Sequence, residues 1–261
     1  MIYDFHTHSD NSFDSKEKIN NMCNEALKKG ITHIAFTEHF SLDENKKTFG
    51  HMNFNKYFKE IREAKEEFKE LNIHNGLELC EPHLQMEELK ETLKDLPIDF
   101  ILGSIHNIKD RGLRTTAKEV GNKDCYDLYF DEYYDMVSLA DFDIAAHLDL
   151  MSRYALNIVG NYNFEDYKEQ IKKILSKIIE REKGIEINTS GLRNDLNSIH
   201  PKVEILKLYK ELGGEIITIG SDGHKAEDVG EGCKEALKIL KDLGYKNIYT
   251  FKNRKPIKHS L

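Results

Sequence analysis

The chain alternates short apolar segments with amphipathic helical segments from its first residues almost to its last. Strands are predicted at 2–8, 33–38, 75–80, 99–105, 143–148, 185–189 and 216–221, with a weaker one at 247–251. Helices are predicted between them at 16–29, 53–71, 84–95, 124–140, 164–183, 200–212 and 226–243. In one of these, Ile171, Ile174 and Ile178 recur at three- and four-residue spacing, which gives one apolar stripe. Seven successive strand–helix units predict parallel strands joined by right-handed crossovers.

This succession favours a (β/α) barrel, in which the parallel strands close on themselves and the helices cover the outside. A doubly wound open sheet is the alternative, but no glycine-rich phosphate loop follows the first strand. Because no Pro/Gly/Ser-rich linker divides the 261 residues, we predict a single α/β domain over 1–261. Two connections, at about 40–52 and 107–123, carry neither pattern and are expected to lie over the functional face.

The predicted strands end in residues that commonly bind metal ions. His6 and His8 point to the same side of the first strand, because alternate residues of a strand share a face. The candidate ligands, in chain order, are His6, His8, Asp14, His39, Glu78, His106, His147, Asp222 and His224. The carboxyl ends of barrel strands meet at one face, so these residues are expected to converge there. Nine imidazole and carboxylate ligands exceed the need of one ion, which predicts a cluster of two or three divalent ions (Zn, Mn or Fe).

Several of these residues have an alternative interpretation. Asp14 could cap a helix that begins near Ser15 rather than bind metal. Glu81 lies three residues after Glu78 and competes with it. We assign Glu78 to the metal site, and Glu81 is expected either to support a metal ligand or to face the substrate. A single histidine at a strand end is more often structural than a ligand, and only the joint pattern favours ligation.

Two arginines follow predicted strand ends and are candidates for binding phosphate. The guanidinium groups of Arg153 and Arg193 could each form paired hydrogen bonds to phosphate oxygens. We therefore predict that both act in catalysis and in substrate binding. Glu78 is also predicted to act in catalysis, as one of the metal ligands. The alternative is that both arginines form surface ion pairs.

Composition limits the possible partners and the compartment. The net charge is −8, and the short basic cluster at 252–255 is a weak signal for nucleic acid, so we expect none to bind. The four cysteines include no Cys-x-x-Cys pair, which favours reduced thiols in the cytoplasm. We identify no signal peptide and no apolar run near the ~20 residues that a membrane-spanning helix needs. The oligomeric state stays open, because every apolar stripe can be explained as core.

The motifs around these candidates occur in a characteristic order. They are His6-Thr7-His8, Thr37-Glu38-His39, Gly76-Leu77-Glu78, Gly103-Ser104-Ile105-His106, Ala146-His147-Leu148-Asp149 and Gly220-Ser221-Asp222-Gly223-His224. In this order they resemble the polymerase-and-histidinol-phosphatase (PHP) family, from His6 to about Gly230. Within that family the chain is most similar to the monofunctional histidinol-phosphate phosphatases, because of Arg153-Tyr154 after His147 and the stretch 186–193.

The resemblance implies a distorted (β/α)7 barrel with a trinuclear metal site at the carboxyl ends of its strands. It assigns His6, His8, Glu78 and Asp222 to the first ion, with Glu78 bridging to a second ion that His106 and His147 also hold. Asp14, His39 and His224 are assigned to the third ion. One departure is the stretch Leu79-Cys80-Glu81-Pro82, where many relatives have Val-Asp-Tyr.

The expected activity is hydrolysis of L-histidinol phosphate in histidine biosynthesis, by in-line attack of a metal-bound hydroxide. The amino group of that substrate should be bound by a carboxylate, and Glu81 is the candidate. Within enzymes, the alternatives are a relative acting on nucleotide or sugar phosphates, a nuclease, and a metal-dependent amidohydrolase. A different class is a metal-binding module without catalysis. Metal bound in stoichiometric amounts without turnover of any phosphate ester would favour that class.

Overall fold

The computed structural model describes residues 1–261 in eleven strands and nine α-helices. The strands are β1 Tyr3–Thr7, β2 His33–Phe40, β3 Asn72–Cys80, β4 Phe100–Ser104, β5 Asn107–Ile108, β6 Arg111–Gly112, β7 Ile144–Ala145, β8 Gly184–Asn188, β9 Ile217–Gly220, β10 Asn247–Lys252 and β11 Lys255–Ser260. The helices are α1 Ile19–Lys29, α2 Phe54–Glu67, α3 Met86–Leu93, α4 Leu113–Val120, α5 Asp124–Leu139, α6 Met151–Val159, α7 Phe164–Glu180, α8 Val203–Glu211 and α9 Cys233–Asp242. None of these helices is long and apolar enough to cross a membrane.

Seven of the strands form one parallel sheet in the order β1-β2-β3-β4-β7-β8-β9. The two edges of this sheet approach each other just past the strand ends. There the Asp222 N–H donates to the His6 carbonyl and the His8 N–H donates to the Gly223 carbonyl, each over 2.8 Å. The sheet is therefore a nearly closed barrel, which confirms the predicted (β/α)7 architecture.

The carboxyl-terminal hairpin covers the amino-terminal end of the barrel. Tyr249 and Phe251 of β10 pack on Phe5 and Phe100 inside the barrel. The weakly predicted strand at 247–251 thus exists, but it pairs antiparallel with β11 and is not a barrel strand. Because this end is filled by side chains, only the opposite end can open into a cavity.

Two predictions about the connections were wrong. Residues 107–123 form the β5–β6 hairpin and α4 rather than an irregular loop, and α6 was not predicted at all. Leu113 and Ala117 of α4 are buried, and α4 packs against α6. Thr115 and Thr116 are poor helix formers, so α4 depends on this packing more than on its local sequence. Both helices stand beside the open end of the barrel.

Candidate metal centre and substrate cavity

The end of β1 places two imidazoles against a carboxylate from the end of the barrel's last strand. The Nε2 atoms of His6 and His8 are 3.0 Å apart, and both rings are fully buried. Asp222 lies just past β9 with a φ of 55°, and its Oδ1 is 3.7 Å from His6 Nε2 and 3.4 Å from His8 Nε2. This left-handed turn, held by the hydrogen bond to the His6 carbonyl, points the carboxylate at both imidazoles.

Glu78 of β3 lies at the centre of the site, and its two oxygens face different imidazoles. Oε2 is 3.1 Å from His6 Nε2 and 3.3 Å from His8 Nε2. Oε1 is 2.8 Å from His147 Nε2 and 3.3 Å from His106 Nε2. Burial alone would raise the pKa of the Glu78 carboxyl, but the surrounding imidazoles hold that pKa well below its ordinary value. An ionised carboxylate that faces two sets of nitrogen donors has the geometry of a bridging ligand.

A third group of donors surrounds Asp14. Its Oδ2 is 3.4 Å from His39 Nε2 and 3.3 Å from His224 Nε2. The first helix begins at Ile19 with Lys18 as its N-cap, so the alternative interpretation of Asp14 as a helix cap is wrong. Burial lowers the pKa of His224, but its contacts with Asp14 and Asp222 outweigh burial and raise this pKa to about 9.

The donor atoms are close enough to share ions. Four groups of three donors have all their ligand atoms within 4.8 Å of one another: His6, His8 and Asp222; His6, Glu78 and His147; His8, His39 and His224; His39, Cys80 and His106. The rings of His39 and His224 both stack on the ring of His8, at centroid distances of 4.3 and 4.4 Å. Imidazole and carboxylate at these separations suit divalent Zn, Mn or Fe, so the residues present fit the predicted cluster.

Buried partners behind the site orient two of the imidazoles. Glu186 of β8 is 2.7 Å from His6 Nδ1 and accepts the His147 backbone N–H over 3.0 Å. Ser12 Oγ is 3.1 Å from His8 Nδ1 and donates to Glu38 over 2.6 Å. With Nδ1 as the donor in both histidines, the Nε2 lone pairs of His6 and His8 face the centre.

Glu38 itself is fully buried within this network. Burial raises the pKa of its carboxyl to about 7, although hydrogen bonds from Ser12 and Ser9 act in the opposite direction. Ser12 Oγ also accepts the His39 backbone N–H over 3.0 Å. The segment after β1 is thereby tied to the end of β2, which keeps His8 and His39 in contact.

A cavity of about 710 Å³ opens above the donors. Lys46 and Lys47, from the predicted 40–52 connection, line one side of it. Asp110 from the β5–β6 turn lines another, and Arg153 and Tyr154 of α6 line a third. The cavity thus combines cationic side chains with a floor of imidazoles and carboxylates, a combination that suits a small anionic ligand.

The two predicted phosphate-binding arginines differ in their surroundings. Arg153 is exposed, pairs with no carboxylate, and lies 5.8 Å from the centre of the Tyr154 ring. The Arg193 Nη2 donates to the carbonyls of Ser221 and Asp222, over 2.7 and 3.2 Å. Its Nε is 3.4 Å from Asp228, while its buried Nη1 has no protein partner. Both arginines line a recess next to Asp14 and His224, so both can reach an anion bound there.

Glu81 does not reach the cavity. Its Oε1 accepts the backbone N–H groups of His106 and Asn107, over 2.6 and 2.8 Å, and its Oε2 accepts from the Asn107 side chain. Glu81 has a φ of 47° and is 3% exposed. The expected contact with a substrate amino group is therefore not supported: this carboxylate holds the backbone that carries His106.

The family of the chain follows from comparison with known proteins. The model of the PHP domain matches residues 4–190. The chain belongs to the PHP domain family. A probable histidinol-phosphatase from Clostridium acetobutylicum is 32% identical over 95% of this PHP domain chain and 96% of its own length. The histidinol-phosphatase from Lactococcus lactis is 30% identical, with 98% of each chain covered.

Solved structures agree with this assignment. The histidinol phosphate phosphatase of Lactococcus lactis, complexed with zinc, L-histidinol and phosphate, superposes with a TM-score of 0.87 at 27% identity. The superposition covers 98% of this PHP domain chain and 99% of that one. The putative histidinol phosphatase from Listeria monocytogenes shares the fold, with a TM-score of 0.78 at 20% identity over 89% of this chain. The resemblance of the motifs to this family is thereby confirmed.

In this PHP domain all nine predicted ligand residues meet at one end of the barrel, and Arg153 and Arg193 border the same space. The buried partners Glu186, Glu38 and Ser12 were not predicted. A signal for the first two was present, because a carboxylate inside an apolar strand segment is buried and needs a polar partner. Nothing comparable singles out Ser12 among neighbouring polar residues.

Proposed function

We propose that this PHP domain hydrolyses L-histidinol phosphate to L-histidinol and phosphate at a cluster of two or three divalent ions. The observation that carries the proposal is Glu78, whose two oxygens face separate groups of imidazoles below a cavity bordered by Arg153. The named relatives and the histidinol-bound structure, matched over nearly their whole lengths, support the choice of substrate. The chain acts as one domain over 1–261 in this proposal.

The ligand set is assigned from the contacts. His6, His8, Glu78 and Asp222 hold the first ion, because their donor atoms lie 3.0–3.7 Å apart. Glu78 Oε1, His106 and His147 would hold the second, so Glu78 would be a ligand of both ions. Asp14, His39 and His224 hold the third.

Bound divalent ions supply Lewis-acid stabilisation of phosphoryl oxygens and activate the attacking water near neutral pH. The chain's own residues bind and orient the substrate. The Arg153 guanidinium lies over the Tyr154 ring but forms no hydrogen bond or ion pair with the protein. It is therefore free to form paired hydrogen bonds with phosphate oxygens. Arg193 has one nitrogen, Nη1, without a protein partner, and this nitrogen can donate to a phosphate oxygen. As charge grows on these oxygens in the transition state, both contacts strengthen, so the arginines act in catalysis as well as in binding.

The location and partners follow from the same features. We place the protein in the cytoplasm, because its four cysteines are all free and buried. We expect a small phosphorylated substrate and no nucleic acid, because the net charge is −8.

The direct test is phosphate release from L-histidinol phosphate beside a panel of nucleotide and sugar phosphates, with metal content measured on the same sample. The proposal expects a strong preference for histidinol phosphate that is lost on chelation. Chelator-sensitive release from another ester would keep the site but refute the substrate. Bound metal without turnover of any ester would refute the enzyme and favour a metal-binding module.

Replacing Arg153 with alanine is expected to lower kcat/KM about 10- to 100-fold, the worth of one charged hydrogen-bonding group. Metal content and melting temperature should not change, because the guanidinium contacts none of the nine donors and no carboxylate. Steady-state kinetics and elemental analysis of the same preparation check this. Arg153→Lys keeps the charge without the paired geometry, so its kcat/KM should lie between that of the unsubstituted protein and that of Arg153→Ala. Unchanged kinetics in Arg153→Ala would remove this residue from the substrate site.

Replacing Glu186 with glutamine is expected to weaken metal affinity about 10- to 100-fold, as loss of a partner behind a ligand usually does. One amide oxygen cannot accept from both His6 Nδ1–H and the His147 N–H, and the amide nitrogen would oppose one of these donors. Competition with a coloured chelator measures the affinity. The matched control is Glu169→Gln, on the exposed face of α7. Equal affinities in the two variants would contradict this role.

A further inference from the structure

Cys80 is the one cysteine that lines the substrate cavity. It lies two residues after Glu78 in β3, so both side chains point to the same face of the strand. The residue is only 5% exposed, yet it borders the cavity. By contrast, Cys23, Cys125 and Cys233 are fully buried in the main apolar core. The sulfur of Cys80 does not belong to the nine proposed ligands.

The sulfur stands where it can share an ion with two imidazoles. Cys80 Sγ is 3.7 Å from His39 Nδ1. The ligand atoms of Cys80, His39 and His106 all lie within 4.8 Å of one another. In a tetrahedral zinc site, Zn–S and Zn–N distances of about 2.3 and 2.05 Å place the two donors about 3.6 Å apart. The observed separation of sulfur and nitrogen is therefore one that a single ion can span.

We propose that Cys80, His39 and His106 form a further metal site, which takes a soft divalent ion such as Cd²⁺ or excess Zn²⁺. When the ion binds, the thiol S–H bond breaks, the sulfur–metal bond forms, and the proton leaves to solvent with no change of oxidation state. Thiolate ligands select soft ions, whereas oxygen and imidazole donors also accept Mn and Fe. The sulfur gives this site a preference that the nine nitrogen and oxygen donors do not have.

The further site also competes with the proposed cluster for two rings, because His39 and His106 are both proposed ligands of that cluster. His39 presents Nε2 to Asp14, while its Nδ1 faces both Glu78 Oε2, at 3.1 Å, and Cys80 Sγ, at 3.7 Å. The third ion and the further site therefore use opposite nitrogens of the same imidazole. The inference rests on the proposed function only through this competition. A soft ion held by Cys80 draws His39 away from the third ion and His106 away from the second, which makes the site inhibitory.

The test is a titration of the full-length protein, as purified, with Cd²⁺, followed by the ultraviolet charge-transfer absorption of a cadmium–thiolate bond. The band is expected in the unsubstituted protein and in Cys125→Ser, which removes a thiol far from any histidine pair, and is expected to be lost in Cys80→Ser. Bands of equal intensity in all three proteins would overturn the proposal, as would the absence of a band from the unsubstituted protein.

A second measurement needs no variant, in case Cys80→Ser does not fold. Cadmium-113 NMR of the unsubstituted protein should show one resonance displaced to the range of sulfur-bound cadmium. Resonances only in the nitrogen and oxygen range would overturn the sulfur site. Neither measurement depends on turnover, so that result would leave the proposed phosphatase intact, whereas missing phosphate release would refute the phosphatase and leave the cadmium data standing.

Discussion

Replacing Glu78 with glutamine is expected to reduce kcat/KM for histidinol phosphate by about a thousandfold or more, because the substitution removes the proposed bridge between two ions. The carboxylate oxygens contact imidazoles on both sides, at 2.8 Å from His147 Nε2 and 3.1 Å from His6 Nε2. Glutamine has the same shape but only one oxygen and no charge. Its amide nitrogen would face the lone pair of one imidazole and exclude an ion from that side. Elemental analysis should show fewer bound ions per chain.

Glu81→Gln is the matched control for this substitution. It makes the same chemical change in the same strand–turn segment, but the Glu81 carboxylate accepts backbone N–H groups of His106 and Asn107, not an ion. A glutamine oxygen can still accept both, so metal content should stay near that of the unsubstituted protein. Full metal content and full activity in Glu78→Gln would remove Glu78 from the centre of the mechanism.

The convergence of the nine candidate ligands could be predicted, because a barrel brings residues that follow successive strands to one face. A parallel strand has one carboxyl end, and all seven of these ends meet at the same face, so a histidine that follows a strand must point there. His6 and His147 are separated by most of the barrel in sequence, yet both lie within 3.1 Å of Glu78. For ligands at or directly after a strand end, such as His6 and His147, the prediction needed only the strand positions, which apolar runs indicate.

Residues off the strands were harder to place, because their direction depends on the backbone of the turn. Glu81 has a left-handed φ of 47°, which turns its carboxylate toward the backbone at 106–107. Spacing along the chain carries no sign of that turn. The helix α4 failed for a related reason: its buried residues pack on α6, and that contact is not visible in either segment alone. In both cases, contacts between segments that are distant in sequence determine the structure, and a local pattern does not show them.

The convergence of these residues also concentrates negatively charged carboxylates in the buried part of the site. Asp222 and Glu78 both have pKa values held well below the ordinary range, despite burial that opposes ionisation. Without cations, the imidazoles of His6 and His224 compensate these carboxylates. Burial alone would lower the pKa values of both rings, but the neighbouring carboxylates outweigh burial and raise them. Burying unpaired ionic groups is costly, so ions that neutralise them should also stabilise the folded barrel.

Removing the metal ions is therefore expected to abolish activity and to lower the melting temperature. One ion present at a thousand times its Kd stabilises by about 4 kcal/mol, which for a chain of this size corresponds to a shift of about 8–16 °C. Differential scanning calorimetry with and without a chelator measures the shift. Activity and melting temperature should return together when Zn, Mn or Fe is added back, because the same donors serve both.

The Glu78→Gln variant separates metal loss from other effects of a chelator. Its melting temperature should already be low and should respond weakly to chelation, because the bridge between His6 and His147 is gone. Arg153→Ala should instead melt and respond like the unsubstituted protein, since its guanidinium is exposed and contacts no donor. A chelator that abolishes activity without moving the melting temperature of the unsubstituted protein would mean that the ions act in catalysis alone. In that case hydrogen bonds such as those of Glu186 would suffice to hold the donor set together.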